Sequence, residues 1–280
     1  MIDICKALGL KRSTFYRRLR KFKRGESSKD KKEKGGDINK ELLREIKELK
    51  GRHPFWGYRR IWAYLRYRKG YKINPKRVYR IMKVEGLLNR SEKKLKAERK
   101  FRSKPKASKP REYLGIDGTK FWINGLGWVT LIILIDWYTR EILSYGLYLR
   151  NRSREWEEVL YSGIEKGFFE AGIRLSGLKL VSDHGSQPTS IGFMKFCKEY
   201  GIKQIFATFN NPKGNAETER VIRTIKEEVV WVNEFETFEE ADIAIREFVK
   251  FYNEEYCHSS LGYKSPVECF NEWKKLNVAA

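Results

Sequence analysis

Between Tyr113 and Tyr148 three apolar segments, 113–121, 127–136 and 141–148, follow one another with short turns at Asn124-Gly125 and Tyr138-Thr139. β-Branched and aromatic side chains fit a pleated, half-buried surface, and Asn-Gly suits a tight hairpin turn. Three antiparallel strands are expected here. The pattern then alternates. A helix is expected through Trp156, Leu160 and Ile164, a strand at 178–182, a helix near 190–200 and a strand at 202–207. A long helix should begin at about 215, and another should run from about 238 to 254.

The order βββαβαβαα is that of the α/β ribonuclease-H-like fold, a mixed five-stranded sheet with flanking helices. Fold order does not dictate function, so the acids decide. Asp117 falls midway along the first strand, Asp183 directly after the apolar run of the fourth, and Glu219 near the start of the long helix. In this fold those places converge at one sheet edge. Singly, each acid has an ordinary reading: a turn, a helix cap, or a pair with Arg223 one turn on. Jointly, three converging carboxylates repel each other unless cations occupy the cluster. Hard oxygen ligands favour Mg²⁺ or Mn²⁺, and two such ions support in-line phosphoryl transfer. Asp136, at the end of the second strand, is read as structural. His184 and Ser186 lie too close to Asp183 on one strand end to form a hydrolase triad.

The chain carries a formal charge of +23, and its placement identifies a partner. Residues 1–110 hold 38 Lys/Arg against 11 Asp/Glu, whereas residues 111–280 hold 21 against 25. A basic surplus this dense, interleaved with aromatics, suits nucleic acid, where counterion release supplies affinity. The N-terminal half reads as all-α modules: a short helix-turn-helix at 1–23, a linker at 24–40, and a helix-turn-helix-like domain at 41–88. The last helix of that domain has Asn74 as N-cap, Pro75 at its first position and Gly86 at its end. It would present Lys76, Arg77, Arg80 and Lys83 to DNA. A basic tether (89–111), the catalytic core (112–255) and a C-terminal segment (256–280) complete the expected organisation. No apolar run is long enough for a membrane helix, and the four cysteines form no CxxC pair, so a reduced cytoplasmic setting is expected.

Longer motifs narrow the reading. HPFWGYRRIWAYLR (53–66), with Arg59 and Arg60, and INPKRVYRIMKVEGL (73–87) resemble the helix-turn-helix of insertion-sequence transposases of the IS-three family, within the retroviral-integrase superfamily of DDE recombinases. SDHGSQPTS (182–190) is similar to that family's second-Asp motif, Asn215 to Glu219 with RTIKEE (223–228) to its Glu helix, and FYNEEYCHSSLGYKSPVE (251–268) to its closing segment. The resemblance implies that Asp117, Asp183 and Glu219 are the catalytic and metal-binding acids. Asn215, Arg223 and Lys226 share the Glu219 face of the helix, where they would grip DNA, while Glu217 points away.

It further implies a transposase that binds terminal inverted repeats and target DNA, cuts a strand and joins the freed 3′-hydroxyl to another phosphodiester. A homo-oligomer on DNA, association with the nucleoid, and an upstream-frame DNA-binding partner or fusion belong to the same implication. Pro188 departs from the family's usual Tyr, and the loop Asn210 to Gly214 is idiosyncratic. With only His53, His184 and His258, the His/Cys zinc module of retroviral integrases is not expected. A nuclease of the same fold that cuts without joining, and a DNA-binding regulator without activity, are the rival readings.

Overall fold

The computed structural model describes residues 28–89, 106–207 and 214–278, with side chains from residue 39. The expected helix-turn-helix at 1–23, most of the basic tether and most of the 210–214 loop lie outside the described residues. Three helices come first: α1 (Ser28–Arg52), α2 (Tyr58–Tyr67) and α3 (Pro75–Val84). The linker expected at 24–40 is corrected here, because residues 28–40 are the leading turns of α1. Lys and Glu are good helix formers, and a lack of apolar residues removes burial without removing that propensity.

Packing divides the described residues into two compact units, so the stretch read as one domain at 41–88 is shared between them. The first unit holds residues 28–54 and Arg80–Leu87. Leu42, Ile46 and Leu49, at helical spacing on α1, are buried, as is Met82. Lys47 pairs with Glu85 at 3.0 Å. α3 closes as its sequence implies: Gly86 adopts φ +67°, and the Leu87 N–H reaches back to the Met82 carbonyl at 2.8 Å. At its start, Asn74 Oδ1 accepts from the Lys76 N–H at 2.9 Å.

The second unit holds Phe55–Tyr79 and the chain from Leu88 onward. Its elements are β1 (Tyr113–Ile123), β2 (Gly127–Asp136), β3 (Ile142–Tyr148), α4 (Ser153–Ile164), β4 (Lys179–Ser182), α5 (Ile191–Glu199), β5 (Lys203–Phe206), α6 (Ala216–Ile225), α7 (Phe238–Glu254) and α8 (Pro266–Val278). α4 and α6 each run on into a π-helical turn, Glu165–Phe169 and Lys226–Val230. The five strands form one sheet in the order β3-β2-β1-β4-β5. β1, β2 and β3 pair antiparallel, while β4 joins β1 and β5 joins β4 in parallel. This is the ribonuclease-H-like arrangement.

The sheet is covered on both faces, and β2 is accordingly buried from Val129 to Asp136 and apolar from Leu131 to Ile135. On one face Leu114, Ile116, Ile132 and Leu134 meet Trp156, Leu160 and Phe193 from α4 and α5. α6 packs over β1 on the sheet. Asp136 is structural, as expected: it is fully buried and accepts from the Arg111 guanidinium at 3.0 Å and from the N–H groups of Tyr138 (2.6 Å) and Thr139 (3.0 Å).

Two features were not anticipated. α8 occupies the segment treated only as a C-terminal stretch. Ser265 and Glu268 cap it reciprocally, the Ser265 N–H donating to Glu268 Oε2 at 2.8 Å and the Glu268 N–H to Ser265 Oγ at 3.3 Å. Ser-Pro-Val-Glu is a capping-box sequence with Pro at the first helical position, so this helix was legible. In addition, the segment from Phe55 packs with the unit that holds the sheet. Trp56 is fully buried among Tyr64, Phe251 and Tyr256, with ring centroids 5.4, 6.3 and 5.8 Å away. A ten-residue helix cannot bury so large an aromatic face alone, and α7 supplies the missing surface.

Candidate active site

β1 and β4 pair in parallel from Tyr113↔Lys179 to Gly115↔Val181. Asp117 stands midway along β1, two residues past Gly115, and Asp183 follows directly after β4, two residues past Val181. The parallel pairing thus brings the chain just past the end of β4 toward the middle of β1. Asp117 Oδ1 accepts from the Gly118 N–H at 2.8 Å, and Asp183 Oδ1 from the Gly185 N–H at 3.0 Å, so each carboxylate is held by its own local turn. Asp117 is half-buried and Asp183 exposed.

Glu219 arrives from α6, and a glycine sets how near that helix can come. A Cβ on Gly115 would collide with Thr218 Oγ1 and the Trp137 indole nitrogen. Thr218 is itself buried and accepts from Trp137 Nε1 at 3.2 Å. The missing side chain at 115 thus lets α6 lie directly on β1, two residues before Asp117, with Glu219 exposed beside the strand end. Sequence reasoning missed this trio of Gly115, Trp137 and Thr218. The only hint was a glycine inside a strand, which marks close backbone approach.

The electrostatics join the three acids. Burial pushes the Asp117 carboxyl up to about 7, and the negative charges of Asp183 and Glu219 add to the rise. The Gly118 N–H and the Lys226 ammonium oppose it. A carboxylate held near neutrality by burial and like charge is poised to accept a cation in place of a proton. Among the described residues, no group of three or more His, Cys, Asp or Glu side chains is placed so that it could hold a metal ion.

The expected DNA contacts fare differently. Lys76, Arg80 and Lys83 are exposed, and Arg77 is half-buried. Arg223 is exposed and pairs with Glu227 at 2.9 Å, while Lys226 is half-buried near Asp117. Asn215 is corrected as a surface contact: it is only 3 % exposed, on the α6 terminus that packs against Gly115. The helix face it shares with Glu219 turns inward at that end. Arg59 is exposed, and Arg60 lies over the Tyr256 ring at 4.7 Å. Both line a cavity of about 640 Å³ on the side of α6 away from Glu219.

Comparison with known proteins matches three family descriptions along the chain. Residues 37–94 match an HTH-like domain. Residues 107–212 and 200–266 match two integrase core domains. The chain is 29% identical over 283 residues to InsK of insertion sequence element IS150 of Escherichia coli strain K12, covering 96% of this chain and 93% of InsK. It is 26% identical over 234 residues to the transposase InsD of an Escherichia coli IS2 insertion element, covering 81% and 77%. Among solved structures, the intasome of simian T-cell lymphotropic virus in complex with PP2A regulatory subunit B56 gamma superposes with a TM-score of 0.50 at 15% identity, over 74% of this chain and 73% of that one. That likeness bears on the fold. Among the described residues no helix is long and apolar enough to cross a membrane.

Proposed function

Because this chain belongs to the insertion-sequence transposases of the IS-three family, DDE-type polynucleotidyl transferases with an integrase catalytic core, we propose that Asp117, Asp183 and Glu219 are the acids that carry its DNA cleavage and strand transfer. The observation that carries this reading is the shared electrostatics of the three side chains, Asp117 on β1, Asp183 just past β4 and Glu219 on α6. A buried carboxylate flanked by two others is a poor place for three negative charges and a good place for a divalent cation.

Integrase-core enzymes work with a divalent metal ion. The three acids would hold it through hard oxygen donors, in a pair of Mg²⁺ or Mn²⁺ ions without zinc. When bound, such ions would supply activation of a water or a 3′-hydroxyl and charge stabilisation of the leaving oxygen. The protein's own part is orientation. The N–H groups of Gly118 and Gly185 fix the two aspartates, and the Gly115 contact holds the Glu219 helix against the strand. Lys226, close enough to influence Asp117, offers a cation to an incoming phosphate.

The HTH-like segment would select the terminal inverted repeats, with Lys76, Arg77, Arg80 and Lys83 on phosphates and base edges. Target DNA, pairing of two ends by more than one copy, an upstream-frame partner and action at the nucleoid belong to the same proposal. Labelled terminal-repeat DNA incubated with the chain and Mg²⁺ tests it. Joined products that disappear in Asp183→Asn and in Glu219→Gln are expected. Joining retained by either variant refutes the assignment of that acid, and cleavage without joining by the native chain reduces it to a nuclease.

A further inference from the structure

α6 has a second working face. Glu219 and Lys226 serve the acid cluster, whereas Glu217, Arg220, Thr224 and Glu227, at helical spacing on another side, line the 640 Å³ cavity. The opposite walls come from Tyr58 to Arg60 of α2 and from Tyr256 to Tyr263 after α7. Its size lies in the range of roughly 300–1,000 Å³ that encloses a small organic ligand.

The charges in this cavity are unbalanced. Glu217 is taken by Arg140 at 2.6 Å and Glu227 by Arg223 at 2.9 Å. Arg59 and Arg220 have no carboxylate partner among the described residues, so the free charge facing the cavity is positive. His258 adds a polar group of another kind. Its Nε2 is shut off from solvent without a hydrogen-bond partner among the described residues, and its ring lies 4.9 Å from Tyr252 and 5.0 Å from Tyr256. Burial and the neighbouring charges of Arg60, Arg140 and Arg220 push it down to about 3, so it is a neutral imidazole. A neutral donor-acceptor suits a base edge or a sugar better than a phosphate.

The rim carries an aromatic held at a backbone cost. Tyr263 has φ +69°, a conformation that non-glycine residues seldom adopt and that persists only where the surroundings fix it. Its N–H donates to the His258 carbonyl at 2.7 Å, and its ring stacks on Tyr67 at 5.9 Å and stands edge-on to Trp62 at 5.3 Å. Across the cavity Tyr58 is braced against Tyr79 at 5.0 Å.

We propose that this cavity takes one unpaired nucleotide of the DNA strand, its phosphate against Arg59 and Arg220 and its base against the Tyr58 and Tyr263 rings. The proposal rests on the transposase reading above, in which strand cutting frees unpaired ends. Arginine beside aromatic platforms is the chemistry of single-strand binding, since stacking uses base faces that a duplex hides. The size points the same way, because about 640 Å³ has room for one nucleotide and not for a duplex.

Fluorescence anisotropy of the full chain separates the outcomes, with labelled oligo(dT) and labelled terminal-repeat duplex as the two probes. Arg220→Gln and Tyr263→Leu should each weaken oligo(dT) binding by about tenfold while leaving duplex binding near that of the native chain. Tyr263→Phe, which keeps the ring, should bind both probes normally, and thermal melting establishes that each variant is folded. Equal losses on both probes overturn the proposal in favour of a general phosphate-binding surface, and unchanged oligo(dT) binding overturns it outright. Strand joining by the native chain is read in parallel. If joining fails while the selective oligo(dT) loss persists, the transposase reading falls and the nucleotide site stands.

Discussion

At the scale of single residues, the least conspicuous position does much of the positioning. Gly115 carries no chemistry, yet any side chain there would strike Thr218 and Trp137 and lift α6 from β1. Overpacking of this kind costs about 1–3 kcal/mol. Gly115→Ala is therefore expected to lower the urea midpoint accordingly and to reduce strand joining far more than DNA binding, because Glu219 moves and the helix-turn-helix does not. A variant within about 0.5 kcal/mol of native stability, the range of an ordinary surface change, would show that α6 does not depend on that contact. Strand order and motif point to the three acids proposed above. Their positioning residues were not legible, because a collision between side chains far apart in sequence leaves no local trace.

At the scale of elements, helix termini were legible and helix partners were not. The Asn74-Pro75 start and Gly86 end of α3 were read correctly from capping chemistry, and the Ser265–Glu268 box of α8 carried the same kind of signal. What α8 packs with emerges only from contacts. Arg68, at the end of α2, forks onto both Glu268 oxygens at 2.6 and 2.8 Å and donates to the Glu255 carbonyl at 2.9 Å. That geometry holds the Glu268 carboxyl down at about 2. The pair is partly exposed, so solvent screening limits its worth to about 1 kcal/mol. Glu268→Gln should lower the melting temperature slightly and speed amide exchange across residues 266–278. Unchanged exchange there would mean that the fork is incidental to α8 docking.

At the scale of the whole molecule, the buried imidazole of His258 makes stability depend on pH. Its folded value, about 3, lies below the ordinary 6.5, so between those values the unfolded chain binds a proton that the folded chain refuses. Stability is then complete above about pH 6.5 and falls as the pH drops toward 3. Between pH 7.5 and pH 5 the loss from this group is about 2 kcal/mol. Asp117, raised to about 7, acts with the opposite sign over the same interval, so the His258 contribution is read by denaturing the native chain and His258→Gln at both pH values: the stability gap between the two chains should change by about 2 kcal/mol from pH 7.5 to pH 5. A gap that is the same at both pH values would refute it. Glu112 and Glu268, both held at about 2, contribute in a lower window, as the pH falls through their ordinary 4.5 toward 2.

The amino-acid sequence alone determined the order of strands and helices and the basic character of the N-terminal half, and it singled out the three acids proposed to carry the chemistry. Each is written in local periodicity, turn chemistry or charge, which act over a few residues. Tertiary structure decided the rest. It joined β4, which ends just before Asp183, to the strand that carries Asp117, turned Asn215 inward, drew Phe55–Tyr79 onto the unit that holds the sheet, and enclosed His258 among arginines and tyrosines. Register, burial and enclosure arise when segments distant in sequence compete for the same apolar surface, and no local pattern records who wins.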